Sequence, residues 1–172
     1  LGFVDEAKRT YNISPFIAVR RGDHSIQGFY HSLPAALDSL STAGAGGYIS
    51  LGTDCTIEPG DKVAIPANTT IRCEPAVNLS VYGELTISGG VVLDKQSAYP
   101  WSGIVVRPSG KLRVTGGITI RNTNSALTLY SSDVQFPYDA ASYLTGCAPN
   151  QSGWAIKIYT CSPLIRSVRL SG

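Results

Sequence analysis

From Tyr48 onward, apolar residues recur at every second position in short runs. "YISLG", "CTIE", "KVAIP", "TTIRC", "VNLSVYG", "ELTISGG", "VVLD", "GIVVR", "KLRVTGG", "ITIRN", "ALTLYSS" and "DVQF" all have this character. They are rich in β-branched residues and are separated by Gly, Pro, Asn, Asp or Ser. A period of two predicts half-buried β-strands, and the separators predict turns. No helical pattern is interleaved, which argues against a parallel sheet with helical crossovers, and the turns come too often for a typical sandwich.

Two of these runs repeat one another. "GELTISGGVVLD" at 83–94 returns as "GKLRVTGGITIR" at 110–121. Leu85 aligns with Leu112, Ile87 with Val114, Val91 with Ile118 and Leu93 with Ile120. Repetition at a period in the twenties predicts a solenoid, in which each coil makes one turn and equivalent strands stack in parallel about 4.8 Å apart. The same alignment sets Glu84 against Lys111 and Asp94 against Arg121, so unlike charges meet. The double glycines mark a corner where positive φ is expected. "NTTIRC" at 68–73 reads as a further, shorter coil that precedes and matches "ELTISG" at 84–89. "WAIKIYTCSPLIRSVRL" near the end again reads as strands, with no capping segment after it.

The segment before Tyr48 differs. Ser32 is placed to cap a short helix, Pro34 lies in its first turn, and Leu33, Ala36, Leu37 and Leu40 share one face. "AGAGG" at 43–47 ends it. Residues 1–30 read as an extended arm, with "PFIAVR" as a short strand. The expected organisation is therefore an arm over 1–30 and a β-helix domain over 31–172. That domain either continues past the given sequence or is covered at its end by partner subunits, because a solenoid needs caps at both ends.

Composition narrows the picture. The 172 residues are 43% hydrophobic and 15% charged, which suits one domain with a packed core and excludes disorder. The net charge of +2 is scattered without a basic stripe, so nucleic acid is not an expected partner. No apolar run is long enough for a membrane span. The chain starts at Leu1 and contains no Met, which reads as processing or a fragment. Cys55, Cys73, Cys147 and Cys161 lack metal-ligand spacing and are either buried thiols or up to two disulfides. No metal and no cofactor is expected. Four of the six Asn (Asn12, Asn68, Asn78 and Asn150) lie in N-x-[ST] sequons, which fit either secretion with glycosylation or turn chemistry.

Residues 32–73, "SLPAALDSL…YISLGTDCTIEPGDKVAIPANTTIRC", resemble the opening of the pectin-lyase-like right-handed parallel β-helix superfamily. There a short helix caps the first coil; in this chain Cys73 stands where that pattern usually has Gly. The resemblance extends over roughly 32–130. It implies an all-β fold, a right-handed parallel β-helix with a short N-terminal capping helix. The leader before the helix, the missing C-terminal cap and the lack of a pectate-lyase or polygalacturonase motif make the chain most similar to bacteriophage tailspike and tail-fibre proteins. That similarity implies a homotrimer located in the virion tail and docked to a tail or other virion protein through residues 1–30. It also implies a rigid scaffold that attaches to bacterial surface polysaccharide. The alternatives are a polysaccharide-degrading enzyme, hydrolase or lyase, from the virion or secreted, and a structural capsid decoration or adaptor protein.

The candidate chemistry is sparse. Glycoside hydrolysis needs a pair of carboxylates. Glu84 and Asp94 read as stacking partners, and Asp54, Glu58 and Asp61 as turn residues around "EPGD". Asp133 and Asp139 flank an irregular segment and are the weak catalytic candidates. Two interruptions, 96–103 and 136–154, are rich in aromatics, and Tyr99, Trp101, Tyr138 and Trp154 are the candidate carbohydrate-binding residues. Exposed rings offer flat faces to sugar C–H groups, whereas rings folded inward cover core or subunit interface. His24 and His31 flank no nucleophile, and "RGD" at 21–23 is too short a match to a cell-adhesion tripeptide to carry a function.

Overall fold

The structure, a computed structural model, describes residues 17–138, 140–145 and 154–171. The chain begins with a hairpin, β1 (Ile17–Arg20) and β2 (Ile26–Tyr30), followed by helix α1 (Leu33–Leu40). It then winds as a parallel β-solenoid of about five turns. The first coil is β3 (Tyr48–Leu51), β4 (Cys55–Ile57) and β5 (Lys62–Ile65), and the second is β6 (Thr70–Cys73), β7 (Asn78–Val81) and β8 (Glu84–Ile87). The third is β9 (Val92–Lys95), β10 (Gly103–Val106) and β11 (Lys111–Val114), and the fourth is β12 (Thr119–Ile120), β13 (Ser125–Leu129) and β14 (Val134–Gln135). The fifth contains β15 (Ser142–Thr145), β16 (Trp154–Ile158) and a bridge from Leu164 to Gln135, after which β17 (Val168–Ser171) returns to the first face.

Each face is one sheet. The first runs β17-β15-β12-β9-β6-β3-β1-β2, the second β16-β13-β10-β7-β4 and the third β14-β11-β8-β5. Short alternating runs suit this architecture because each strand shows one side to the lumen. In β5, β8 and β11 every second residue is buried. Like residues then file along the axis: Ile49, Ile71, Leu93, Ile120 and Leu144 stack in register and are fully buried. Burying one such side chain contributes about 1.5–3 kcal/mol, so the lumen is the main source of stability.

The repeat that predicts the fold is in register as expected. Leu85 pairs with Leu112, Ile87 with Val114, and Leu93 with Ile120. Lys62, Glu84 and Lys111 form one outward file of alternating charge, and Arg121 Nε meets Asp94 Oδ2 at 2.8 Å. At the glycine corner only Gly90 has positive φ, 76°. Gly89 and Gly116 are needed for a different reason: a Cβ on Gly116 would sit 2.6 Å from Gly89 Cα, closer than any real side chain approaches.

Three features go beyond the sequence expectations. The coils are not all of one length. Along the file Ile49, Ile71, Leu93, Ile120, Leu144 and Leu170 the first two steps are equal and short, and the later ones are longer and differ from one another. "NTTIRC" does not stack on "ELTISG"; Thr70–Cys73 stacks on Val92–Lys95, and Lys62–Ile65 lies against Glu84–Ile87. Both runs have the same alternation, and only the packing of all three faces selects the partner. The third concerns the arm. Ile17–Tyr30 is not extended leader: β1 pairs antiparallel with β3 on one side and β2 on the other, so this hairpin closes the first sheet. Residues 1–16 lie outside the described residues.

Helix α1 forms as its sequence specifies. Ser32 Oγ accepts the Ala35 backbone N–H at 3.4 Å, and Leu33, Ala36 and Leu37 are buried against the end of the first coil, with Leu40 packed beside them. This face seals the lumen that β3, β4 and β5 would otherwise leave open.

Candidate ligand-binding surface

The four aromatic candidates part company. Tyr99, Tyr138 and Trp154 are 63%, 74% and 63% exposed, whereas Trp101 is completely buried. Trp101 is therefore a core residue, and its ring cannot face a sugar. The corner between β9 and β10 is widened by residues 96–102. Trp101 bridges Thr123 of the next coil there, and its Nε1–H donates to the Arg121 carbonyl at 3.1 Å. The indole thus fills the widened corner with its one polar atom satisfied. The three exposed rings do not converge. Tyr99 and Trp154 lie on the side between first and second sheets, two coils apart, and Tyr138 lies between third and first.

The weak catalytic candidates separate as well. Asp133 Oδ1 meets Arg113 Nη2 at 2.5 Å, and Arg113 Nη1 also donates to the Asp133 carbonyl at 3.1 Å. That carboxylate is held by an ion pair on the outer surface. Asp139 lies outside the described residues. Asp54 accepts the Asn78 backbone N–H at 2.9 Å, a link between coils. Among the described residues no group of three or more His, Cys, Asp or Glu side chains is placed to hold a metal ion.

Cys55, Cys73 and Cys161 are free thiols; Cys147 lies outside the described residues. Burial pushes the Cys55 thiol up to about 11. Cys73 is raised further, first by burial and then by the nearby Cys55, Asp94 and Glu74. Neither is a nucleophile at neutral pH. In the "RGD" turn, Asp23 accepts from Ser25 Oγ at 2.6 Å and Ser25 N at 2.9 Å, and these bonds hold its carboxyl below the usual range. Its carboxylate closes a hairpin turn.

Sequence reasoning missed a lateral ladder. Tyr82, Arg107, Tyr130 and Tyr159 each follow the last residue of a second-sheet strand, after Val81, Val106, Leu129 and Ile158, which are themselves in register. The Arg107 guanidinium lies 5.5 Å from the Tyr82 ring centroid and 5.9 Å from that of Tyr130. Tyr130 stacks on Tyr159 at 4.8 Å and 11°. Arg107 Nε is buried without a hydrogen-bond partner, and the guanidinium lies between the two rings. A signal was available: "LSVY", "IVVR", "LTLY" and "IKIY" align without gaps. Beside Tyr82, a groove of about 230 Å³ is lined by Asp61, Lys62, Glu84, Ser109 and Lys111.

Taken together, these residues define a β-solenoid with a closed apolar lumen and its chemistry on its outer corners. Compared with protein-family models, curated proteins and solved structures, the chain matches none.

Proposed function

We propose that this protein is a component of a virion tailspike or tail fibre that attaches to host-surface polysaccharide and acts as a rigid β-helical scaffold. The observation that carries the reading is the ladder Tyr82–Arg107–Tyr130–Tyr159, one residue per coil along the rod. Coils repeat about every 4.8 Å, so the ladder presents an extended polymer with a line of ring edges and polar groups, its inner ring faces being taken up by the stacking itself. Phenol O–H and guanidinium N–H groups bond sugar hydroxyls. Tyr99, Tyr138 and Trp154 add exposed rings on other corners. A parallel solenoid suits the task mechanically, because each inner strand is hydrogen-bonded on both edges. Docking to the particle is proposed through residues 1–30, of which Ile17–Tyr30 also pairs with the first sheet.

Retention on immobilised bacterial capsular polysaccharide and lipopolysaccharide tests the proposal. Wild-type protein is expected to be retained, and the Tyr130→Ala/Tyr159→Ala variant to bind about tenfold more weakly with an unchanged circular dichroism spectrum. No retention on any surface polysaccharide removes the attachment role. Light scattering tests the homotrimer separately: the expected mass is three chains of 18.2 kDa, and a single-chain mass rejects it.

A further inference from the structure

The last coil carries a second patch with different chemistry. Arg166 Cζ lies 4.3 Å from the centroid of the Tyr138 ring, and Arg169 Cζ lies 5.5 Å from that of Tyr143. Both rings are exposed, at 74% and 46%. The two arginines are near neighbours in sequence, and the backbone between them is bent. Ser167 has φ 51°, the left-handed region that a serine seldom occupies. Two hydrogen bonds secure that bend: Ser167 Oγ donates to the Tyr138 carbonyl at 2.7 Å, and the Ser142 N–H donates to the Ser167 carbonyl at 3.0 Å. On the far side, Tyr143 and Arg169 are register partners between β15 and β17. Both guanidinium groups are thus placed by backbone geometry and packed against rings before any ligand arrives.

A guanidinium packed against an aromatic ring keeps N–H donors that match the paired oxygens of a carboxylate or phosphate. Neither arginine has an ion-pair partner among the described residues. The charge balance points the same way. Residues 154–171 contain Lys157, Arg166 and Arg169 and no acid, and Asp139, which follows Tyr138 in sequence, lies outside the described residues. On the ladder side, by contrast, Lys62 and Lys111 flank Glu84, and Arg113 is paired with Asp133.

We propose that the Tyr138–Arg166 and Tyr143–Arg169 stacks form a recognition surface for the anionic groups, carboxylate or phosphate, of an acidic glycan. The inference rests on the reading of the chain as a polysaccharide binder and narrows its ligand to charged polymers. The aromatic rings contact the sugar, the two guanidinium groups take the anion, and the fixed bend sets their separation.

The test uses the 172-residue chain and four probes: alginate, poly(glycerol phosphate), dextran and inorganic phosphate. At low salt the protein is expected to bind alginate or poly(glycerol phosphate) at least about tenfold more tightly than dextran, the effect of one well-placed charged hydrogen bond. Added NaCl should erode that preference. Arg166→Ala/Arg169→Ala should abolish it with an unchanged circular dichroism spectrum, and Arg166→Lys/Arg169→Lys should restore only part, since the charge returns without the planar fork. Equal affinity for dextran and the acidic polymers, or an Ala pair that behaves as wild type, overturns the proposal and leaves polysaccharide attachment standing. Displacement of the polymers by inorganic phosphate at a concentration equal to that of their anionic groups also overturns it, because the ligand is then an isolated ion. Retention of no polymer, capsular polysaccharide and lipopolysaccharide included, removes both readings.

Discussion

Cys55 and Cys73 show how much a single position depends on its coil. Each lies at a lumen-facing site in an alternating run, Cys55 in register with Leu79 and Cys73 with Leu51. Burial raises both thiols above the ordinary value, Cys55 to about 11. A thiol whose folded pKa is raised stabilises the fold fully below the unfolded value near 9, and that stability is lost as pH rises through the folded value. Urea unfolding from pH 9 to 11 should therefore show a loss of about 1–3 kcal/mol. The Cys55→Ala/Cys73→Val variant should lose less than wild type over the same interval. Equal losses in the two proteins would place the alkaline sensitivity elsewhere. The sequence left both as either buried thiols or disulfide partners. The structure makes them free thiols, and the neighbouring coil supplies the depth of their burial.

At the scale of elements, corners decide more than strands. β12 has only two residues, and its corner is pinned from the coil below: Asp94 accepts from Arg121 Nε at 2.8 Å, Asn122 Nδ2 at 2.6 Å and Lys95 N at 2.8 Å. Asn122 takes φ 57°, which asparagine tolerates better than most residues. Asp94→Ala leaves these donors without their acceptor and should cost about 1–3 kcal/mol, read as a lower urea midpoint at unchanged slope. A shift below about 0.5 kcal/mol, the usual range for surface substitutions, would mean the corner holds by backbone bonds alone. The Asp94–Arg121 contact was readable in the repeat, whereas Asn122 entered the cluster only through the bend. Asn68 and Asn78 illustrate the same division. Asn68 turns a corner at φ 61° and Asn78 Oδ1 accepts from Ser80 Oγ at 2.8 Å, so both serve the fold's own turns and ladders.

For the whole molecule, stability is a sum over neighbouring coils. Strands in the second and third coils are paired on both edges, while β17 is paired with β15 alone among the described residues. Lumen residues are fully buried at Leu85, Leu112 and Ile120, yet Leu170, which continues the file of Leu144, is 57% exposed. Amide hydrogen exchange should accordingly be slowest in β8 and β11 and fastest in β17, a gradient along the axis. Uniform protection from β8 to β17 would show that the rod opens as one unit and would refute the nearest-neighbour description. The surface chemistry follows the same geometry. Ladder and arginine stacks exist because positions far apart in sequence come to lie one coil spacing apart.

By itself the sequence determined the two-residue alternation, hence the strands and their inward faces. It also determined the capped helix at Ser32 and the charge pairs of the gap-free repeat. These are local or repeated features, and a few neighbouring residues suffice to set them. Tertiary structure decided which strand stacks on which, that Ile17–Tyr30 closes the first sheet, that Trp101 turns inward while Tyr99 and Tyr138 stay outside, and that Tyr82, Arg107, Tyr130 and Tyr159 meet. Coil lengths differ, and identical alternation permits several registers. Only the simultaneous packing of three faces around one lumen selects among them, and it thereby sets which rings reach solvent.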